Sequence, residues 1–527
     1  MSEQHPHPMP LDEVSDELTF PVRVACIDVG SNALRFVAAE FSAPDRYLTI
    51  EQERAAVRLG HDVFMTGHLT GGGINRAVAA LTAFAKRMRD ADVDVYRCVA
   101  TSAVRESSNS RDFVDRVRKE AGINIEVISG SEEARLLHVA VRHAVDLAGH
   151  NWIVVDVGGG SVEVLLVDDS GILWSESHTM GSVRLLEELS EAGEEPGRFR
   201  RLLEEYTATL RLPPAAQYRR QGGFIATGGN AETLAQLGGT GGGPGKPPEL
   251  TLDVARTIIE KLSKLSYRQR VEELGLREDR ADVVLPAALV YERLAQLSGA
   301  SSIVVPGVGI KEGVLYDVVE AVTTQRTHAD RQERDLVTAL VAIGRRYMFD
   351  EAHASQVAKH SLSLFDRMQD LHTLDGSDRK ILQAAAWLHD IGAHISYKRH
   401  HKHSMYLIAQ CELPGFSDAE VALAASVARY HRKSEPAPNH PEFAGLGAGD
   451  QRRVLALAAI LRLADALDRE HLDRVRAVSV EVKGGDVVLG LDGKGDLLLE
   501  KWALRRKAPM FERVYECKVR VRNGVGD

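Results

Sequence analysis

Two glycine-containing turns, each preceded by an aspartate, have residue types and spacing that could do chemistry. Asp28 is followed by Val-Gly-Ser-Asn, and Asp156 is followed by Val-Gly-Gly-Gly-Ser. Glycines in such turns let backbone N–H groups approach an anion, and the partial positive charge of those groups favours phosphate. The aspartates are oxygen ligands for a divalent metal, which would offset the charge of phosphate oxygens. A third turn, Ala-Thr-Gly-Gly-Asn at 226–230, lies between a strand pattern and a helix pattern.

A second group of reactive side chains lies in the C-terminal half, where histidine is concentrated. Twelve of the 20 histidines fall between His328 and His471. Asp465 stands within an apolar helical pattern, where a carboxylate requires a partner or a metal. This density of imidazole and carboxylate groups indicates metal or proton chemistry.

The length and composition of the chain exclude several classes of protein. At 527 residues the chain is too long for one core, and about three or four domains are expected. The net charge of −10 disfavours a protein that coats duplex nucleic acid with a broad basic face. No apolar run approaches the ~20 residues that span a bilayer, so no membrane partner is expected. The start of the chain does not resemble a signal peptide, and the four cysteines have no paired spacing, which predicts a cytoplasmic protein.

The order of strand and helix patterns predicts how the turns are positioned. After a disordered leader over 1–20, strands and helices alternate over 21–149, and the same strand–turn–strand order begins again in 150–322. This repetition predicts a duplicated α/β fold with a cleft between its halves. Helical patterns dominate 323–475, and strands with glycine turns over 476–527 predict a small C-terminal α+β domain.

Seven motifs follow one another between about Val22 and Val318: CIDVGSNALRF, ATSAVRESSNS, EVISGSEEARLL, VVDVGGGSVEV, SHTMGSVRL, IATGGNAETLA and RADVVLPAALV. In this order they resemble the exopolyphosphatase and guanosine pentaphosphate phosphatase (Ppx/GppA) family, a branch of the actin-like (ASKHA, ribonuclease H-like) superfamily. The resemblance implies two actin-like halves with a cleft. It also implies hydrolysis of the terminal phosphoanhydride bonds of inorganic polyphosphate, with release of orthophosphate, assisted by Mg²⁺ or Mn²⁺ in the cleft.

The same resemblance implies roles for single residues. Glu133 matches the glutamate that activates water, and Arg105 matches an arginine that contacts the phosphate chain. Asp156 and Glu163 match the other acidic catalytic residues, and together with Asp28 they are the expected metal ligands of the cleft. The residues expected to bind phosphate are Ser31, Asn32, Gly158, Gly159, Gly160, Ser161, Thr227, Gly228 and Gly229.

Residues beside these motifs carry further expectations. Ser129 and Glu132 have the S-x-x-E spacing of a capping box, which predicts a structural role for Glu132 at a helix start. Asn230 stands where relatives commonly have Thr, and Lys311 where they more often have Arg. The first departure is expected to alter polar contacts at the cleft rim, and neither touches the water-activating residues.

In the helical region, the order His…His-Asp…Asp resembles that of the HD metal-dependent phosphohydrolases. By motif position the ligands are His353, His389, Asp390 and Asp465, which implies a second divalent metal site of one or two ions. Long members of the Ppx/GppA family carry an HD-like helical domain whose ligands are often degraded, and there the domain extends the substrate channel and forms the dimer. Because this chain retains the ligands, metal binding is expected, and the family implies a homodimer.

Two basic segments, YKRHHKHSMYLI and ARYHRKSEP, resemble family segments that line the path of a long polyanion. They predict a polyphosphate channel formed by His400, Lys402, His403, His431, Arg432 and Lys433. A row of basic groups in an acidic protein would concentrate polyphosphate locally, and its effect would weaken with salt. The alternative is a solvated basic turn between helices.

Four functions stay open on this reasoning. The leading hypothesis is an exopolyphosphatase, and the same groups would serve a guanosine pentaphosphate 5′-phosphohydrolase, whose guanosine pocket is not legible in the sequence. A third hypothesis makes the HD site a nucleotide phosphohydrolase, with the α/β half as a sensor. The fourth is a catalytically silent binding protein of the actin-like superfamily, which the retained Glu133, Asp156 and Glu163 disfavour.

Overall fold

The structure is a computed structural model that describes residues 8–14, 18–169, 171–190, 198–212, 221–243, 246–323, 328–411, 413, 415–483 and 485–523. The chain divides into two compact units, Met1–Asp335 and Leu336–Asp527. The sequence-predicted divisions at 149/150 and 475/476 lie inside these units, and the one at 322/323 lies close to the end of the first.

The first sheet of the first unit is built around β2. This strand pairs with β3 in an antiparallel direction and with β5 in a parallel direction, and β4 extends the antiparallel side. Strands β1 and β6 both pair with β5 in a parallel direction. The strands are β1 (Met9–Pro10), β2 (Val22–Val29), β3 (Leu34–Ala43), β4 (Arg46–Ala55), β5 (Val95–Ala100) and β6 (Ile125–Val127).

The second sheet repeats this arrangement around β7. Strand β7 pairs with β8 in an antiparallel direction and with β10 in a parallel direction, and β9 extends the antiparallel side. This equivalence confirms the predicted duplication. The strands are β7 (Asn151–Val157), β8 (Val162–Asp168), β9 (Gly171–His178), β10 (Gln221–Thr227), β11 (Glu249–Thr251) and β12 (Ser302–Val304).

Helices pack against the two sheets of the first unit. The apolar side of α13 packs its Leu315 and Val318 against Val24 and Cys26 of β2, so this late helix completes the first core. The helices are α1 (Leu59–Thr66), α2 (Gly71–Asp90), α3 (Ser102–Arg105), α4 (Ser110–Ala121), α5 (Gly130–Ala144), α6 (Ser182–Ser190), α7 (Arg198–Thr207), α8 (Gly228–Gly238), α9 (Leu252–Lys264), α10 (Tyr267–Leu274), α11 (Glu278–Ala281), α12 (Val284–Ser298) and α13 (Ile310–Thr323).

Part of the predicted disordered leader is ordered. Met9 and Pro10 pair with Val95 and Tyr96 of β5. Leu11 is buried in the same apolar cluster as α13, and this burial fixes the segment on the first sheet. The prediction of a disordered leader is therefore wrong for residues 9–11, while residues 1–7 and 15–17 lie outside the described residues.

The second unit is a helical bundle that shares one apolar core with a three-stranded sheet. Val478, Leu489 and Phe511 from the C-terminal segment belong to the same buried cluster as the helices. Helix α14 (His328–Arg346) contains the division between the units. The other elements are α15 (Glu351–Arg367), α16 (Gly376–Leu388), α17 (His400–Ile408), α18 (Asp418–Arg429), α19 (Pro441–Ala444), α20 (Ala448–Leu467), β13 (Val475–Lys483), β14 (Asp486–Gly493), α21 (Leu498–Val514) and β15 (Val519–Asn523).

Among the described residues, no helix combines the length and the apolar character needed to cross a lipid bilayer.

Candidate active site

The carboxyl ends of β2 and β7 meet at one cavity of about 390 Å³ in the first unit. The two aspartates occupy equivalent places, but their cross-strand partners differ, because Asp28 lies opposite Arg35 and Asp156 lies opposite Glu163. The sequence-predicted residues that line this cavity are Asp28, Ser31, Asn32, Glu133, Asp156, Gly158, Gly159, Ser161, Glu163, Gly228 and Gly229.

Three predicted site residues stand behind the cavity wall. Thr227 is buried, and its hydroxyl donates to Asp156 Oδ1 at 3.0 Å. Gly160 packs under Arg184, whose Nε donates to the Gly160 carbonyl at 3.0 Å. Arg105 is not among the residues that line the cavity, and it contacts Glu133, which is. The Thr227 hydroxyl and the Gly160 carbonyl contact protein, and the assignment of these two residues to phosphate binding stays a prediction.

Glycine is required at two positions of these turns for different reasons. A Cβ at position 159 would lie 2.8 Å from Ser31 Cβ, so the turns of the two halves touch only because no side chain is present. Gly228 has a φ of +79°, and a Cβ there would collide with the Asp156 carboxylate. The close approach of backbone to the cavity therefore depends on these glycines.

Glu133 lies in the first turn of α5 and is 3% exposed. Its Oε1 accepts a charge-assisted hydrogen bond of 2.5 Å from Arg105 Nη1, and the same nitrogen donates to the Ile128 carbonyl at 2.6 Å. A partly buried guanidinium held at two points fixes the direction of the carboxylate. The arrangement suits a group that must receive a proton at one oxygen.

Three acidic residues of the cavity, Glu133, Asp156 and Glu163, have raised pKa values. Burial raises the pKa of Glu133 to about 7, against the opposing effect of Arg105. Burial, followed by the charges of Glu133 and Asp156, raises the pKa of Glu163 well above its usual range. Burial also raises the pKa of Asp156, while Thr227 acts in the other direction. Burial therefore disfavours the ionised forms of these three carboxyl groups, and a bound cation would favour them.

The expected metal ligands of the cleft do not form a closed set. Asp28 Oδ2 accepts a hydrogen bond of 2.6 Å from Arg35 Nη1, and Glu163 Oε1 accepts one of 3.0 Å from Ser177. In the described part of the chain, groups of three ligand atoms within 4.8 Å of one another occur in the second unit and not here. Among the described residues, neither Asp156 nor Glu163 forms an ion pair like that of Asp28 with Arg35.

Glu132 has a different structural role from the one its spacing predicts. The Ser129 hydroxyl caps α5 by accepting from the Glu132 backbone at 3.2 Å, but the reciprocal half of the capping box is not formed. The Glu132 carboxylate instead accepts from Arg97 at 3.0 Å and from Arg135 at 2.7 and 2.8 Å. These two arginines also contact Asp317 on α13. Glu132 therefore belongs to a buried ion network that ties α5 to β5 and α13.

Basic residues to which the sequence reasoning gave no site role complete the cavity. Arg280 is 4% exposed, and its Nη1 donates to Asn230 Oδ1 at 2.9 Å. Burial, followed by the charges of Arg35 and Arg54, lowers the pKa of Arg280 to about 9. Arg277 and Lys311 line the same wall. A role for Arg280 in the site could have been predicted from its position at the start of the RADVVLPAALV motif, just before an apolar run.

Four residues of the second unit converge as the HD motif predicts. His353 Nε2 lies 3.3 Å from His389 Nε2, and Asp465 Oδ1 lies 3.8 and 3.9 Å from these two nitrogens. His389 Nε2 is also 3.8 Å from Asp390 Oδ1. Both histidines and Asp465 are buried. This group has the composition and spacing of a divalent metal site.

Two residues predicted to line a polyphosphate channel belong to the same region of the core. His400 and His431 are each 1% exposed, and their Nε2 atoms lie 3.0 and 3.3 Å from Asp390 Oδ1. The prediction of an open channel surface is therefore wrong for these two histidines. His400 begins α17 and His431 follows the end of α18, and both imidazoles are buried, which a reading of the basic run as one surface could not show.

The other predicted channel residues remain accessible. Lys402 and Lys433 are exposed, and His403 and Arg432 are half-buried. Arg432 reaches the histidine–aspartate group, because its Nη1 lies 3.2 Å from His400 Nε2.

The comparisons with known proteins agree with this geometry. The profile of the Ppx/GppA phosphatase family matches residues 42–322, and that of Ppx/GppA phosphatase domain III matches residues 337–505. An exopolyphosphatase from Cytophaga hutchinsonii is 28% identical with a TM-score of 0.51, over 57% of this chain and 98% of that chain. A Ppx/GppA family member from Aquifex aeolicus is 24% identical with a TM-score of 0.48, over 57% of this chain and 98% of that one.

The duplicated halves around the cavity therefore have the actin-like fold with a cleft, and a helical region follows them. The family match covers both glycine turns of the second half, Glu133, Asp156 and Glu163. The chain belongs to the Ppx/GppA phosphatase family and is a hydrolase of phosphoric anhydrides.

Proposed function

We propose that this protein is an exopolyphosphatase that removes terminal orthophosphate from inorganic polyphosphate in the cleft of the first unit. The observation that carries the proposal is Glu133, a buried carboxylate with a pKa of about 7 that Arg105 holds against the cavity. A general base is most effective when its pKa lies near the working pH. The similarity to an exopolyphosphatase from Cytophaga hutchinsonii supports the same substrate.

In the proposed reaction, Glu133 accepts a proton from a water molecule whose oxygen forms a bond to the terminal phosphorus. The bridging P–O bond breaks in line, and the bridging oxygen stays with the shortened chain. Phosphoryl transfer depends mainly on positioning and on neutralising the equatorial oxygens. The turns at Ser31, Asn32 and 158–161 and the basic wall at Arg280 supply that positioning, and Gly228 and Gly229 bring the start of α8 to the phosphate.

Mg²⁺ or Mn²⁺ fits the donor set of the cleft, which consists of carboxylate oxygens with raised pKa values. Asp156 and Glu163 would hold the ion, and Asp28 would take a smaller share because Arg35 already compensates its charge. When bound, the ion supplies charge neutralisation of the phosphate oxygens. Since Mg²⁺ is commonly held by one or two carboxylates and by substrate phosphates, an incomplete protein ligand set suits it.

The proposal includes a metal ion in the second unit, held by His353, His389, Asp390 and Asp465. Lys402, His403, Arg432 and Lys433 would guide a long polyanion. The four cysteines are all free thiols, which favours a reducing compartment such as the cytoplasm. A homodimer is expected from the family.

Phosphate release from long-chain polyphosphate and from guanosine pentaphosphate, with Mg²⁺, tests the main assignment. We compare the wild type with Glu133→Gln and with Glu132→Gln, its immediate neighbour. Glu133→Gln is expected to lower kcat by about 10²–10⁴-fold while polyphosphate binding and the melting temperature are retained. Glu132→Gln is expected to lower the melting temperature, because Arg97 and Arg135 lose a buried partner, while the folded enzyme keeps its kcat.

Equal loss of binding and turnover in Glu133→Gln would contradict the water-activating role. A faster Glu133-dependent release from guanosine pentaphosphate would assign the second hypothesis instead. Release from neither substrate would move attention to the second unit as a nucleotide phosphohydrolase, with the cleft as a sensor.

A further inference from the structure

We propose that Tyr291 and Asn230 are positioning residues for Asp156, which they hold in place by binding the backbone of Val157. The hydrogen bonds from these two side chains to Val157 form what we call the Val157 clamp. The inference rests on the proposed hydrolysis in the cleft and deepens it, since it concerns how the chain fixes one acidic residue of that site.

The Val157 clamp lies where strand β7 leaves the second sheet. Parallel pairing of β7 with β10 ends at the pair Asp156 and Thr227, and β10 is followed directly by helix α8. Backbone groups that lose a neighbouring strand inside a protein need other hydrogen-bond partners. The position of the chain just after Asp156 therefore depends on the side chains that reach it.

Tyr291 reaches this point from helix α12 and is 0% exposed. Its hydroxyl accepts a hydrogen bond from the Val157 backbone N–H at 3.2 Å and donates one to the Thr227 carbonyl at 2.7 Å. One phenol oxygen therefore joins the ends of β7 and β10. Because the Thr227 hydroxyl donates to Asp156 Oδ1 at 3.0 Å, Tyr291 also holds the residue that contacts this carboxylate.

Asn230 binds the second polar group of the Val157 backbone. It lies in the first turn of α8 and is 2% exposed, and its Nδ2 donates to the Val157 carbonyl at 3.2 Å. Its Oδ1 accepts from Arg280 Nη1 at 2.9 Å. An amide group supplies both the donor and the acceptor that these two contacts require. Asn230 therefore ties the end of β7 to the basic wall of the cavity.

The Val157 clamp lies one residue from a group that must be placed accurately. Asp156 precedes Val157 and the 158–161 turn follows it, so the clamp fixes the carboxylate and the turn together. A displacement of about 1 Å can lower the rate of an enzymatic reaction by about 10²-fold. Loss of the clamp is therefore expected to lower kcat more than it changes KM.

The test uses the full-length chain and the variant Y291F, which removes the phenol oxygen and keeps the buried ring. The matched control is Y96F, because the hydroxyl of buried Tyr96 accepts from the Asn124 backbone N–H at 3.1 Å in the first half of the same unit. Both variants lose a buried hydrogen bond to a backbone N–H, so both should have a lower melting temperature.

Phosphate release from long-chain polyphosphate with Mg²⁺ separates the two variants. Y291F is expected to lower kcat by about 10–100-fold while KM changes by less than about twofold. Y96F should keep the kcat of the wild type. A purely structural loss of stability would affect both variants alike.

Hydrogen exchange of the metal-free protein gives a second readout that does not depend on turnover. Amides of residues 157–161 are expected to exchange faster in Y291F than in the wild type or in Y96F, because the Val157 N–H loses its acceptor. Exchange at 157–161 that is no faster in Y291F than in Y96F would overturn the clamp.

N230A tests the other half of the clamp and carries the test if Y291F does not fold, as judged by circular dichroism. It should lower kcat by about tenfold and raise KM by about two- to fivefold, since Arg280 lines the cavity and loses its acceptor. The double variant Y291F/N230A should have a kcat within about twofold of that of Y291F, because both substitutions release Val157.

A kcat for Y291F equal to that of Y96F would overturn the positioning role, and so would a loss confined to KM. Losses in kcat that multiply in the double variant would overturn the shared clamp, because the two residues would then act separately. A wild type that releases no phosphate would overturn the proposed function and, with it, the role of the clamp in turnover. Glu133-dependent release by the wild type with an unaffected Y291F would overturn the clamp alone.

Discussion

The two acidic centres of this chain differ in how their charge is compensated. In the cleft, burial raises the pKa values of Glu133, Asp156 and Glu163. In the second unit, interactions with histidines hold the pKa of Asp390 well below its usual range despite burial, and Lys507 with His431 does the same for Asp465. Lys507 Nζ contacts Asp465 Oδ2 at 3.1 Å.

This difference indicates two relationships to metal. The cleft offers oxygen ligands that are not gathered, so its ion would be completed by the phosphates of the substrate. The second unit gathers nitrogen and oxygen ligands before any substrate binds. A preorganised site retains its ions, whereas an incomplete one exchanges them with each substrate.

The largest expected effect separates the two equivalent aspartates of the cleft. Asp156→Asn should lower kcat/KM for polyphosphate by about 10²–10³-fold and raise the Mg²⁺ concentration that gives half-maximal activity. Asp28→Asn should lower kcat/KM by about tenfold or less, since Arg35 already neutralises Asp28. Phosphate release over a Mg²⁺ titration measures both. Equal losses would show that the cross-strand partner does not set the role of each aspartate.

A smaller effect is expected from pH on the metal-free protein. The Glu133 pKa is about 7 in the folded state against 4.5 ordinarily, so its protonation stabilises the fold at low pH. This contribution is lost as pH rises through 7, which costs the first unit up to about 3 kcal/mol. Burial lowers the pKa of His389 to about 4, so the second unit instead loses stability as pH falls below 6.5.

Hydrogen exchange, corrected for the intrinsic pH dependence of amides, measures this divergence unit by unit between pH 5 and 8. Mg²⁺ should diminish the trend in the first unit, because a cation stabilises the ionised carboxylates. Glu133→Gln is the control that should remove Glu133's part of the trend. If the stability of both units changed with pH in the same direction, the electrostatic contrast between them would be contradicted.

The smallest expected effect concerns the exposed basic residues. The double variant Lys402→Gln/Lys433→Gln should raise the KM for long polyphosphate about two- to fivefold at low salt, with no change for short chains. The effect should disappear at high salt because exposed charges are screened. Lys86→Gln/Lys119→Gln on the surface of the first unit is the matched control. An equal rise in the KM for short chains would contradict the assignment of these lysines to a polyphosphate channel.

Local sequence features predicted the elements around the cleft well. The apolar runs that end at Asp28 and Asp156 became strands, and Gly122 ends α4 in the left-handed conformation, because both signals act over a few residues. Glu132 shows the limit of such reasoning. Its S-x-x-E spacing predicted a cap, but Arg97 from β5 and Arg135 from the next turn of α5 bind its carboxylate more strongly than one backbone N–H could.

The basic segments of the second unit show the same limit. The sequence YHRK at 430–433 does not say which side chains point outward. The structure buries His431 and leaves Lys433 exposed. Neighbouring residues face opposite ways at the end of a helix. One run of basic residues therefore contains both a buried histidine and an exposed lysine.

The sequence by itself determined the duplicated α/β pattern, the family and the residues with chemical potential, because strand periodicity, glycine turns and motif order are local properties. Tertiary structure alone decided which of these residues meet. It placed Arg35 opposite Asp28 but Glu163 opposite Asp156, and it brought His400 and His431 to Asp390. Charge compensation and metal geometry depend on distances of a few ångströms between residues far apart in the chain, and only packing sets those distances.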